Sequence, residues 1–127
     1  MHMYIRKFFI IIIILCAGIY SQAQTDQAKL ANEYFQQGEF EKARAMFEDL
    51  EKNRSVIPLI HANYFRLLLE EQDIKGAEKY LDRVIKSFPG NLNYQVDLAF
   101  LYHSVGDQDQ LDKYLSSLKK QFQENYQ

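Results

Sequence analysis

Ala77-Glu-Lys-Tyr-Leu-Asp-Arg-Val-Ile-Lys-Ser-Phe-Pro89 is the stretch on which the reading of the fold turns. Moved forward by 34 positions, it falls on Leu111 to Gln123, with Asp112-Lys-Tyr-Leu115 beneath Glu78-Lys-Tyr-Leu81. Moved back by 34, it falls on Ala43 to Ser55. One helical unit is written three times.

Around that stretch the apolar residues recur at three and four, the spacing of one helix face. Thr25 or Asp26 is placed to cap a first helix, and Gly38 to end it in the left-handed turn that glycine tolerates. A second helix is expected from about Phe40 to Asn53, with Ala43, Met46, Phe47 and Leu50 inward. Pro58 opens a third, where a missing N–H costs nothing, and it runs to about Glu71. Asp73 caps a fourth that ends at Ser87, before the break Phe88-Pro89-Gly90-Asn91. A fifth spans about Leu92 to Val105 and stops at Gly106; Asp107 caps a sixth, to about Glu124. Helices joined by such short links lie antiparallel, so the expectation is an all-α chain of three antiparallel helix hairpins.

The period aligns Ala31, Phe65 and Ala99 in one column and Tyr34, Leu68 and Tyr102 in another. Further columns are Gly38/Gln72/Gly106, Ala43/Ala77/Leu111, Phe47/Leu81/Leu115 and Leu50/Val84/Leu118. Small residues, a tyrosine, a turn glycine, an alanine, an aromatic and a closing proline at period 34 form the pattern of the tetratricopeptide repeat. The chain resembles three tandem repeats of that family, at about 24–57, 58–91 and 92–125, within one domain expected at 24–127. The resemblance implies a right-handed α-solenoid in which each hairpin covers the apolar face of the one before it. Phe65, Gln72 and Leu111 depart from the pattern; the first and last imply wider helix separation.

Residues 1–23 are set apart from this domain. Met1 to Lys7 carries Arg6 and Lys7 and no acid; Phe8 to Tyr20 is apolar; Ser21-Gln22-Ala23 places small residues where a signal peptidase needs them. The apolar run is shorter than the roughly 20 residues of a bilayer span. A secretory signal cut after Ala23 is therefore expected, with export to the periplasm or cell envelope if the source is bacterial. An uncleaved anchor is the alternative, and lipidation at Cys16 is disfavoured by Leu15 before it. A chain starting at Gln24 has no cysteine, so packing alone would hold it together.

The search for chemistry returns nothing catalytic. Thirteen basic and seventeen acidic residues remain beyond residue 23, with no basic stripe to meet nucleic acid. His61 and His103 have no partner at metal-ligand spacing, and no phosphate loop or nucleophile elbow is present. Glu70-Glu71 reads as an exposed charge pair. The tyrosines at 34, 64, 80, 94, 102, 114 and 126 mostly fall in repeat columns and read as packing. No enzyme, cofactor or metal is expected.

The family resemblance implies a concave groove lined by the first helix of each hairpin, where a partner protein or peptide lies. Its lining positions carry over as Lys29, Asn32, Phe35 and Gln36 in the first repeat, and Asn63, Arg66, Leu69 and Glu70 in the second. The third supplies Asp97, Phe100, His103 and Ser104. A carboxylate clamp found in some relatives needs cations where this chain has Ala28, Asn93 and Asp97, so that mechanism is excluded. The expected function is an exported protein-interaction scaffold. The alternative is the N-terminal piece of a larger envelope array with an assembly role. The last helix keeps one apolar stripe, and Lys119 stands where repeat two has Ile85, which leaves self-association through that helix open.

Overall fold

The computed structural model describes the backbone of residues 1–125 and the side chains of residues 1, 3–13 and 22–124. Tyr126 and the Cys16 side chain, both weighed above, lie outside the described residues. Among these there are six helices and no strand: α1 His2–Gln36, α2 Phe40–Leu50, α3 Ile57–Glu70, α4 Ile74–Ser87, α5 Leu92–Ser104 and α6 Gln108–Asn125. They divide into two compact units, Met1–Leu67 and the part from Leu68 onward, with the division falling inside α3.

One expectation is corrected at the start. The first helix begins at His2, not at Thr25 or Asp26, and runs unbroken through both. A capping residue stops a helix only where the chain before it leaves helical geometry. Here Ser21 to Gln24 has no proline or glycine, and the apolar run before it continues the same turn. At the other ends, α2 stops at Leu50 and α5 at Ser104, slightly earlier than the periodicity suggests.

In the first unit α1 and α2 form an antiparallel hairpin. Gly38 takes φ +77°, and the turn closes with Gly38 N–H on the Phe35 carbonyl at 3.1 Å and Glu39 N–H on that of Tyr34 at 2.9 Å. At the open end the Asn53 amide donates to the Gln24 side-chain oxygen, so the chain has returned alongside α1. Ala31 and Ala43 are fully buried, as small residues at a close crossing should be. Phe47 is fully buried too, with its ring centroid 5.3 Å from that of Tyr64 on α3. Burying a ring of that kind contributes about 2–3 kcal/mol.

The α3 helix also meets α1. Asn32 Nδ2 donates to the Leu59 carbonyl at 3.0 Å, Asn63 Nδ2 donates to Asn32 Oδ1 at 2.9 Å, and the Arg66 guanidinium lies 5.8 Å from the Phe35 ring centre. The pairs 32/63 and 35/66 advance together along both helices. α1 and α3 therefore run in the same direction, side by side.

The second unit opens with the turn into α4. Gln72 holds φ +57°, and Asp73 N–H reaches the Leu68 carbonyl at 2.9 Å, reproducing the geometry at Gly38 without a glycine. Asp73 caps α4 by accepting from Gly76 N–H at 2.9 Å, and a Cβ at Gly76 would collide with that carboxylate. Ala77, Tyr80, Leu81 and Val84 form the buried face of α4, with Ile85 half-buried at its edge. Phe88 packs on Tyr94 at 5.6 Å, Asn91 caps α5, and Gln95 donates to the Pro89 carbonyl at 3.2 Å. Tyr102 on α5 donates to Glu78 on α4 at 2.7 Å, so these two helices are antiparallel. Gly106 turns the chain at φ +72°, and Asp107 caps α6 through Gln110 N–H at 3.1 Å. Tyr102 and Tyr114 then meet edge to face at 6.0 Å, pairing α5 with α6.

Candidate functional site

The groove positions of the first unit lie on one side of α1 and on α3. An open depression of about 340 Å³ runs along α1, lined by Thr25, Ala28, Lys29, Asn32, Glu33, Gln36 and Leu59. Lys29 and Gln36 are exposed in it, while Asn32 is half-buried and held from two directions by α3. Asn63 spends an amide hydrogen on Asn32 and is itself half-buried. Arg66 is exposed. Phe35 is only 7% exposed, with Phe40 at 5.6 Å and the Arg66 guanidinium over its ring. Phe35 therefore lies beneath the surface, with the Arg66 cation above it.

In the second unit Leu69 and Asp97 are half-buried, and Glu70, Phe100, His103 and Ser104 are exposed. Ser104 turns its hydroxyl back to the Leu101 carbonyl at 2.8 Å. Two further residues belong with Phe100: Leu92 and Val96 precede it at four-residue intervals on α5, and all three are at least half exposed. They form an apolar ridge. The signal was present as apolar residues at i, i+4 and i+8 lying outside the buried repeat columns.

Burial, with Glu78 accepting its proton, pushes the Tyr102 phenol far above the usual tyrosine range; burial raises Tyr94 and Tyr114 as well, with Asp97 and Asp82 respectively adding to it. Lys42 is raised by its bond to Glu39. All four move away from neutrality, which tunes none of them for proton transfer near pH 7. His61 stacks on Phe65 with centroids 6.1 Å apart. Among the described residues, no three His, Cys, Asp or Glu side chains stand close enough to hold a metal ion, and no helix is long and apolar enough to cross a membrane.

No family model, no curated protein and no solved structure matches the chain.

Proposed function

We propose that the chain is an exported tetratricopeptide-like scaffold that binds a partner protein or peptide along the first helices of its hairpins. The observation that carries this reading is the placement of α3 in the first unit. It lies parallel to α1 and covers the α1–α2 hairpin through Phe47–Tyr64 and Asn32–Asn63. A repeat whose first helix stacks on the previous first helix has that geometry, and the three left-handed turns at 38, 72 and 106 keep the period.

Such an arrangement leaves the exposed faces of the first helices free to take a segment passively. On α1 and α3 the surface is polar, with Lys29, Gln36, Asn63 and Arg66 suited to pairing a partner's backbone and acids. On α5 the Leu92–Val96–Phe100 ridge suits an apolar residue. Residues 1–23 act as the secretory signal, and their exposed Phe8–Ile13 face is what a translocation apparatus or lipid would cover. In a bacterium the destination is the periplasm or cell envelope.

The exposed stripe on α6, with Leu115 and Phe122 open, favours a second reading in which the chain serves assembly within a larger envelope array. Affinity capture from the native envelope, with mass identification, tests the first. A partner retained by the wild type and lost with Arg66→Glu and Phe100→Ala supports the surface. Equal retention by both variants removes it.

A further inference from the structure

The repeat columns reveal two faces with opposite fates. Positions 47 and 50 on α2 and 81 and 84 on α4 are buried, but their counterpart Leu115 on α6 is 47% exposed and Leu118 is half-buried. In the first unit this column is covered by α3, through Tyr64 on Phe47. The covering helix offers Ile60, Tyr64 and Leu67, and the same positions on α5 are Tyr94, Leu98 and Leu101; all six are buried. On α1 those positions are Asp26, Leu30 and Glu33, and all three are exposed.

The α6 stripe therefore lacks the apolar cover its counterparts have, and the α1 of another copy would supply one apolar residue, Leu30, in place of three. Stacking α1 there would set the Asp26 and Glu33 carboxylates where α3 and α5 present apolar side chains, against leucines that offer them no hydrogen bond. A contact of that kind would also be head-to-tail, giving a ring or an open filament and not a closed pair.

We propose that α6 is covered by α6 of a second copy, antiparallel about a two-fold axis between Ser116 and Ser117. That axis sets Leu111 against Phe122 and Leu115 against Leu118 of the second copy. It also brings Asp112 near the second copy's Lys119, on the same flank of the seam, so opposite charges meet beside the apolar contact. Eighteen residues make a helix of about 27 Å. A helix pair of that length buries well under the roughly 1,600 Å² of a standard interface, so the dimer is closed and reversible. None of the four seam residues is among the residues proposed to bind a partner on α1, α3 or α5.

The test is cross-linking in the full-length chain, made cysteine-free by Cys16→Ser and then given Leu115→Cys or Leu118→Cys. A short bismaleimide should join two copies when both variants are mixed, and adding Phe122→Glu should abolish the product while circular dichroism keeps the helical signal. Absence of a covalent dimer at any protein concentration overturns the proposal. So does a product formed only between a Leu30→Cys copy and a Leu115→Cys copy, which would mean α1 stacks on α6. A product joining α6 solely to a different envelope protein overturns it as well. Loss of partner capture in the Arg66→Glu variant, with the α6 cross-link intact, would show the two properties to be separate.

Discussion

Asn63 donates its amide to Asn32 across 2.9 Å, and Asn32 passes a hydrogen bond on to the Leu59 carbonyl at 3.0 Å. The result is a polar staple from α3 to α1 at the rim of the depression along α1. Because both links run through one side chain, Asn32 is the position to remove. Asn32→Ala should cost about 1–2 kcal/mol of stability, since it strands the Asn63 amide and deletes a bond to a backbone carbonyl. Urea unfolding measures it; an unchanged midpoint would mean water replaces the staple at no cost.

The turn at Gln72 stores strain that its counterparts avoid. A non-glycine residue at φ +57° costs about 1–2 kcal/mol relative to a right-handed one, whereas Gly38 and Gly106 hold similar angles freely. Gln72→Gly should therefore stabilise the chain by about 0.5–1 kcal/mol, part of the relief being lost to the greater freedom of glycine when unfolded. The readout is a higher thermal midpoint.

Phe47 and Leu115 occupy one repeat column with opposite exposure, 0% and 47%. Phe47→Ala should cost about 3–5 kcal/mol, the range for emptying a filled aromatic site. Leu115→Ala, measured at a concentration low enough to keep the chain monomeric, should cost under about 1 kcal/mol. Equal losses would mean that Leu115 is covered within the monomer.

Alkaline pH should weaken the fold through Tyr102. Its folded pKa is raised, first by burial and then by the bond to Glu78, so the folded chain keeps a proton that the unfolded chain releases. The stabilisation is whole below the ordinary tyrosine pKa of about 10 and is lost as pH rises from there toward the folded value. Tyr94 and Tyr114, also raised, lose stability in the same direction. Tyr102→Phe should flatten the alkaline limb of a stability–pH curve. A limb of unchanged slope would assign it to the other two tyrosines.

Much of the local structure was legible because its causes are local. Asp73 and Asp107 announce their caps, Gly38 and Gly106 their turns, and the period-34 columns the buried faces of α2 and α4. The start of α1 was misread for a physical reason. Thr25 and Asp26 have the chemistry of caps, but whether a cap is used depends on the residues before it, and those remain helical. The surface was legible only in part. Phe35 was expected at the groove face, yet its burial under Arg66 and beside Phe40 depends on how α3 and the turn into α2 pack. The ridge at Leu92 and Val96 went unread because apolar residues at helical spacing look the same whether they face a core or water.

By itself, the sequence determined helices α2 to α6, the end of α1 and the phase of each. Helix, cap and turn are decided by neighbours within a few residues, and Asp73 to Pro89 carries all three signals in one stretch. Which apolar face is covered is another matter, because cover comes from a helix far along the chain. Phe47 is buried because Tyr64 reaches it, and Leu115 stays open because none of the described helices does the same for α6. Only the tertiary structure separates those two positions, since burial is a property of the packed neighbour and not of the residue.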